Sequence, residues 1–149
     1  MPAPPLPPSY KPGPPRTSVS AKPARRVFIC DDDLDFAREL AEGLAANGFE
    51  ARTLAGNRSA TDIFDDFLPE VVLLDLYMPP PDGFEMINHI RNTSDLKRVP
   101  LVLMSGAGTG ILEVASRFCI ARNMSLAAAF QKQVNLEEMV RVCNIHVRP

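Results

Sequence analysis

Cysteine is scarce, long apolar runs are missing, and neither sign of charge dominates. The three cysteines, Cys30, Cys119 and Cys143, are odd in number, widely spaced and set in apolar surroundings. That pattern excludes a disulfide framework and a zinc-ligand spacing, and it fits reduced thiols in a core. The longest apolar runs, such as Val71–Leu74 and Pro100–Met104, fall far short of the roughly 20 residues a membrane-crossing helix needs, so no membrane association is expected. Proline stands where a secretory signal needs a continuous apolar stretch, and the chain is read as cytoplasmic. A net charge of -2 and a pI near 5.7 leave no basic field to hold nucleic acid by counterion release.

Acidic residues are absent from residues 1–25, which hold nine of the 15 prolines and four basic residues. Such a segment cannot build a core, and proline stiffens it toward polyproline II, so a disordered tail is expected there. The string Pro12–Arg16 resembles ligands of proline-binding modules, a pattern that composition alone also produces. Removing the tail leaves 12 basic against 18 acidic residues, a charge of -6 on what remains. A length of 149 residues favours one domain, drawn here over 26–142, with a short C-terminal tail at 143–149.

From Arg26 onward, apolar runs alternate with segments of helical period. Arg26–Cys30 reads as a buried strand, followed by a helix that Asp33 caps, with Leu34, Ala37, Leu40, Ala41, Leu44 and Ala45 on one face and Gly48 at its C-terminal end. Glu50–Leu54 is a weaker strand, and Ile63, Phe64, Phe67 and Leu68 mark the inner face of a helix stopped by Pro69. Glu70–Asp75 is the strongest strand, its four consecutive apolar residues implying burial on both faces of a parallel sheet. A third helix follows through Phe84, Met86, Ile87 and Ile90, then a strand over Leu101–Met104. Ile111, Val114, Ala115, Phe118 and Cys119 face a fourth helix inward, Leu126–Phe130 forms a fifth strand, and Asn135 with Glu138 suggests a capping box for the last helix. Five alternating strand-helix pairs predict an α/β fold, a doubly wound five-stranded parallel sheet with helices on both faces.

Ligands of such sheets bind beyond the carboxyl ends of the strands. There the sequence sets Asp31 and Asp32 after the first strand, Asp75 at the end of the third, Ser105 after the fourth and Lys132 after the fifth. Three close carboxylates repel unless a cation joins them, and hard oxygen donors with room for water suit Mg²⁺. A carboxylate that attacks a phosphoryl group needs both charges neutralised, which metal, ammonium and hydroxyl together supply. Asp75 is the candidate nucleophile. An EF-hand reading of Asp31, Asp33, Asp35 and Glu42 fails because Phe36 occupies the position that needs glycine.

Over residues 26–142 the chain resembles the CheY-like receiver domain of two-component response regulators. The likeness rests on Asp31-Asp32-Asp33, Leu74-Asp75-Leu76-Tyr77-Met78-Pro79, Asp82-Gly83, Ser105 and Lys132 in that order. The resemblance implies a flavodoxin-like (βα)5 fold in three layers, αβα. It implies that Asp75 accepts a phosphoryl group from a histidine kinase or phosphotransfer protein, in a signalling module whose only intrinsic reaction is slow self-dephosphorylation. Asp31, Asp32, Asp75 and the backbone carbonyl of Tyr77 would hold Mg²⁺, while Ser105 and Lys132 would bind phosphoryl oxygens. Rearrangement of the fourth strand, fourth helix and fifth strand would then present a surface to a downstream effector, a fused output domain or a second copy docking through the fourth to fifth helix face.

Two positions depart from that pattern. Gln133 follows Lys132 where most receivers have a proline with a cis bond before it, so the lysine loop is either rebuilt or looser. Ala129 stands where an aromatic usually swings inward, with Phe130 beside it. The stretch from Ser105 to Lys132, opening Ser105-Gly106 and closing Gln131-Lys132, is similar to receivers fused to EAL-type cyclic-di-GMP phosphodiesterases. Two rivals remain: a pseudo-receiver that binds partners without phosphorylation, and a haloacid-dehalogenase-like phosphatase whose nucleophile would sit in an Asp-x-Asp motif at Asp31 or Asp33.

Overall fold

A computed structural model describes residues 4, 5, 8, 9, 25–93 and 98–147. Most of the proline-rich segment, including Pro12–Arg16, therefore lies outside the described residues. In chain order the elements are β1 (Arg26–Cys30), α1 (Leu34–Ala46), β2 (Glu50–Thr53), α2 (Ala60–Phe67), β3 (Val71–Asp75), α3 (Gly83–Asn92), β4 (Leu101–Ser105), α4 (Thr109–Ala121), β5 (Leu126–Gln131) and α5 (Leu136–His146). The five strands form one parallel sheet in the order β2-β1-β3-β4-β5. This is the doubly wound arrangement expected from the alternation.

Two cores follow from the period of two along each strand. Phe28, Cys30, Val72, Leu74, Leu101 and Leu103 face α2, α3 and α4, where they meet Phe64, Ile87, Ile90 and Ala115. Their neighbours Val27, Ile29, Val71, Leu73, Val102 and Met104 face α1 and α5, against Leu40, Leu44, Met139 and Cys143. Every residue of β3 is buried, as its continuous apolar run requires. All three cysteines are free and buried. Burial and the negative field of Asp31, Asp75 and Asp32 push the Cys30 thiol up to about 12, so it stays protonated.

Local signals explain most helix ends. Asp33 caps α1 by accepting from the Phe36 N–H at 3.2 Å, and Gly48, just past its C-terminus, takes a φ of +89°. The reciprocal capping box lies at α3, between Asp82 and Glu85, whereas Asn135 caps α5 through the N–H groups of Glu137 and Glu138. Leu68, expected on the inner face of α2, is its left-handed cap at φ +53° and is exposed, because Pro69 ends the helix one residue later. Val114, also expected inside, is 57% exposed; Leu112, Ala115 and Cys119 form the inner face of α4 instead. α5 runs on to His146, with Cys143 and Val147 buried, so the boundary drawn at 142 falls within a helix.

Candidate functional site

The strand order places the site. The chain passes from β1 outward to β2, then crosses back over β1 to β3 and winds on the other way, so the direction reverses between β1 and β3 and leaves a crevice at their carboxyl ends. Cys30 pairs in register with Leu74, which sets Asp31 and Asp75 side by side at that crevice. Ser105 ends the next strand, one residue beyond Met104, the register partner of Asp75. Lys132 follows β5, and its N–H donates to the Ser105 carbonyl at 2.8 Å.

These residues converge at the level of atoms. Asp31, Asp32 and Asp75 each offer a carboxylate oxygen within 4.8 Å of the others. Asp31 and Asp75 are buried and Asp32 is exposed. The Lys132 ammonium lies 2.8 Å from Asp31 Oδ2 and donates a hydrogen bond to Asp75 Oδ2 at 3.2 Å. The remaining oxygens are held by the backbone. The Asp33 N–H donates to Asp31 Oδ1 at 2.9 Å, and the Tyr77 N–H donates to Asp75 Oδ1 at 3.2 Å. Ser105 Oγ accepts from the Ala107 N–H at 3.1 Å, which leaves its own hydroxyl hydrogen to donate elsewhere.

The charges do not balance. One ammonium faces three carboxylates, and the buried Asp31 Oδ2 has the Lys132 ammonium at 2.8 Å as its one partner among the described residues. Buried carboxylates in excess of the cation that pairs them are costly, and a hard divalent cation is what such an oxygen set accommodates. The residues therefore fit Mg²⁺. Burial, reinforced by the Asp31 charge, pushes the Asp75 carboxyl up to about 6, although the Tyr77 N–H and Lys132 pull the other way. Burial opposes the Lys132 charge, but hydrogen bonding and attraction to Asp31 and Asp75 outweigh it and raise that ammonium above its ordinary value.

The residues that depart from the expected pattern are also resolved. The Lys132–Gln133 peptide is trans and Gln133 takes a φ of +69°, so the loop is rebuilt rather than loosened at the lysine. Ala129 is an exposed position of β5, and Phe130 packs toward the α1 and α5 core. Asp33 is spent as the α1 cap, its side chain turned to the helix backbone, which removes the second acid of an Asp31-x-Asp33 phosphatase motif. His89 is half-buried between α2 and α3, bonded to Asp65 at 2.7 Å and edge-on to Phe64. Sequence reasoning missed one neighbour of the site: the Phe36 ring, whose centroid lies 5.1 Å from Lys132 Nζ. The Asp33 cap was the available signal, since it sets Phe36 in the first turn of α1.

Residues 27–143 match the family model described as the response regulator receiver domain. Among curated proteins, the regulatory protein AtoC of Escherichia coli is 36% identical over 80 residues, 54% of this chain and 17% of that protein. A probable transcriptional regulator, ycf27, of Guillardia theta is 29% identical over 90 residues, 60% of this chain and 34% of that protein. The chain thus matches only a minor part of these relatives' length. Among solved structures, the Vibrio cholerae chemotaxis protein CheY4 aligns with a TM-score of 0.70 at 20% identity, over 83% of this chain and 99% of that one. A response regulator structure from Chloroflexus aurantiacus aligns with a TM-score of 0.69 at 24% identity, over 83% and 98%.

Proposed function

Because this chain belongs to the response regulator receiver family, we propose that Asp75 accepts a phosphoryl group from a histidine kinase or phosphotransfer protein and thereby switches a protein-contact surface. One observation carries this reading. Asp75 is a buried carboxylate at the end of a strand buried along its whole length, bonded to Lys132 and within 4.8 Å of two further acids. A carboxyl with a pKa of about 6 is ionised at neutral pH, yet is a better electron-pair donor than an ordinary aspartate.

In the transfer, an Asp75 oxygen forms a bond to phosphorus as the donor's bond to phosphorus breaks, and the electron pair of that bond leaves with the donor. Lys132 offsets the charge that accumulates on the phosphoryl oxygens, and the Ser105 hydroxyl donates to one of them. Mg²⁺, held by Asp31, Asp32, Asp75 and the Tyr77 carbonyl, would neutralise phosphoryl charge when bound. The Asp33 and Tyr77 N–H groups keep the two buried carboxylates oriented throughout.

The output lies with a partner. Val114 and Ile120 are exposed on α4, strand β5 carries no charged residue, and this region supports contact with an effector, a fused output domain or a second copy. Curated relatives named as transcriptional regulators support a fused output, and the Ser105-Gly106 and Gln131-Lys132 boundaries support the EAL-type alternative. A cytoplasmic setting belongs to the same proposal. No described helix is long and apolar enough to cross a membrane.

The test is intact-mass measurement after incubation with Mg²⁺ and acetyl phosphate, beside a receiver known to be labelled. The wild type is expected to gain one phosphoryl group in a Mg²⁺-dependent manner, and Asp75→Asn none. A chain that is never labelled, by acetyl phosphate or by its kinase, while still binding its partner is instead a pseudo-receiver, the reading that Gln133 and Ala129 favour.

A further inference from the structure

Lys132 reaches the acid cluster from the β5–α5 loop. The position after it is Gln133 at φ +69°, so proline does not stiffen the backbone there. A groove of about 320 Å³, lined by Phe36, Glu39, Leu40, Gln133, Val134 and Leu136, lies between α1 and the segment that follows the lysine. The backbone of Lys132 is tied to Ser105, but its flexible four-carbon stem needs a wall to hold the ammonium between two carboxylates.

That wall is aromatic. Phe36 is half-buried in the first turn of α1, borders the groove, and presents its ring 5.1 Å from Lys132 Nζ. This distance lies within the range over which a ring attracts a cation. The placement is coupled to the acids: Asp33 gives its own N–H to Asp31 Oδ1 and accepts the Phe36 N–H on its side chain. One short stretch of chain thus fixes both a carboxylate that pairs with the ammonium and a ring beside it.

We propose that Phe36 is a positioning residue for Lys132, its ring holding the ammonium toward Asp31 and Asp75 on a loop that lacks proline. The assignment rests on the phosphoryl-acceptor reading of Asp75. A packing role for Phe36 would be met by any large apolar side chain, whereas a positioning role requires the ring.

The experiment compares wild type, Phe36→Leu and Phe36→Tyr, each with Lys132 present and in a Lys132→Met background. Phosphoryl uptake from acetyl phosphate with Mg²⁺ is measured as a rate, and the Lys132 side-chain shifts are measured by NMR in the unphosphorylated protein. With Lys132 present, Phe36→Leu is expected to slow uptake by roughly three- to five-fold and to abolish the ring-current shift on the Lys132 methylenes. Phe36→Tyr is expected to restore both. In the Lys132→Met background, Phe36→Leu should cost nothing further. Equal rates for the leucine and tyrosine variants, or the same loss in the Lys132→Met background, would overturn the assignment. If the wild type takes up no phosphoryl group, the functional reading fails. The Lys132 shifts then decide the contact by themselves, and shifts unchanged in Phe36→Leu overturn it.

Discussion

Asp75 carries the site's electrostatic cost in a single side chain. Its carboxyl moves from 3.8 to about 6 on folding because burial and Asp31 disfavour its charge more than Lys132 and the Tyr77 N–H favour it. Folding therefore takes up a proton between these values. The resulting stabilisation is complete below about pH 3.8 and is lost as the pH rises through about 6. Asp75→Asn does not titrate, so without Mg²⁺ it should gain stability relative to wild type as pH rises from 4 to 7, by about 2 kcal/mol. Thermal melts of the two proteins across that range check this, and a variant that loses ground as pH rises would show that pairing with Lys132 dominates. The acids, Ser105 and Lys132 were all legible in the sequence because each follows a recognisable apolar run. The Phe36 ring was not, since an apolar residue in a first helical turn is ordinarily core, and only the folded β5–α5 loop brings Lys132 beside it.

The first residue of α3 sits directly against the chain leaving β3. A Cβ on Gly83 would lie 2.6 Å from Leu76 Cα and 2.9 Å from the Asp75 carbonyl oxygen, both backbone atoms that cannot swing aside. Glycine is required there so that α3 can start against the loop leaving the acceptor strand. Gly83→Ala should therefore cost roughly 1–3 kcal/mol in denaturant unfolding and disturb phosphoryl uptake as well. Gly106→Ala, whose added carbon would meet Lys132 Cδ at 3.8 Å and Cβ at 3.9 Å in ordinary van der Waals contact, should be close to neutral in the same titration. The existence and order of the elements were readable from periodicity, but some faces were not. Val114 fits the i, i+3, i+4 pattern with Ile111, Ala115 and Phe118, yet rotation of α4 onto Leu112, Ala115 and Cys119 leaves it in solvent. Likewise, Asn135 and Glu138 have capping-box spacing, while the reciprocal bonds form at Asp82 and Glu85. Spacing permits such a box, and the path by which the chain enters the helix decides whether it closes.

Across the whole molecule, an acidic domain concentrates three of its carboxylates at one end of the sheet. A divalent cation bound there stabilises the folded chain by mass action, since the unfolded chain does not assemble the site. At neutral pH, Mg²⁺ at a hundredfold excess over its dissociation constant should add about 2.7 kcal/mol, read as a rise in melting temperature. Asp31→Asn should abolish most of that rise, and matched ionic strength from a monovalent salt should not reproduce it. An equal effect from the monovalent salt would mean general screening rather than a site.

What the sequence determined by itself was the alternation of elements and the chemistry each strand delivers at its carboxyl end. These follow from local periodicity and from the few residue types able to handle phosphate and metal. Tertiary structure decided what local signals cannot express. It set which oxygens share the single ammonium of Lys132, how the chain accommodates Gln133 after the lysine, and which aromatic ring lies beside the ammonium. Each of these depends on distances between segments far apart in sequence, and packing the helices onto the sheet is what fixes those distances.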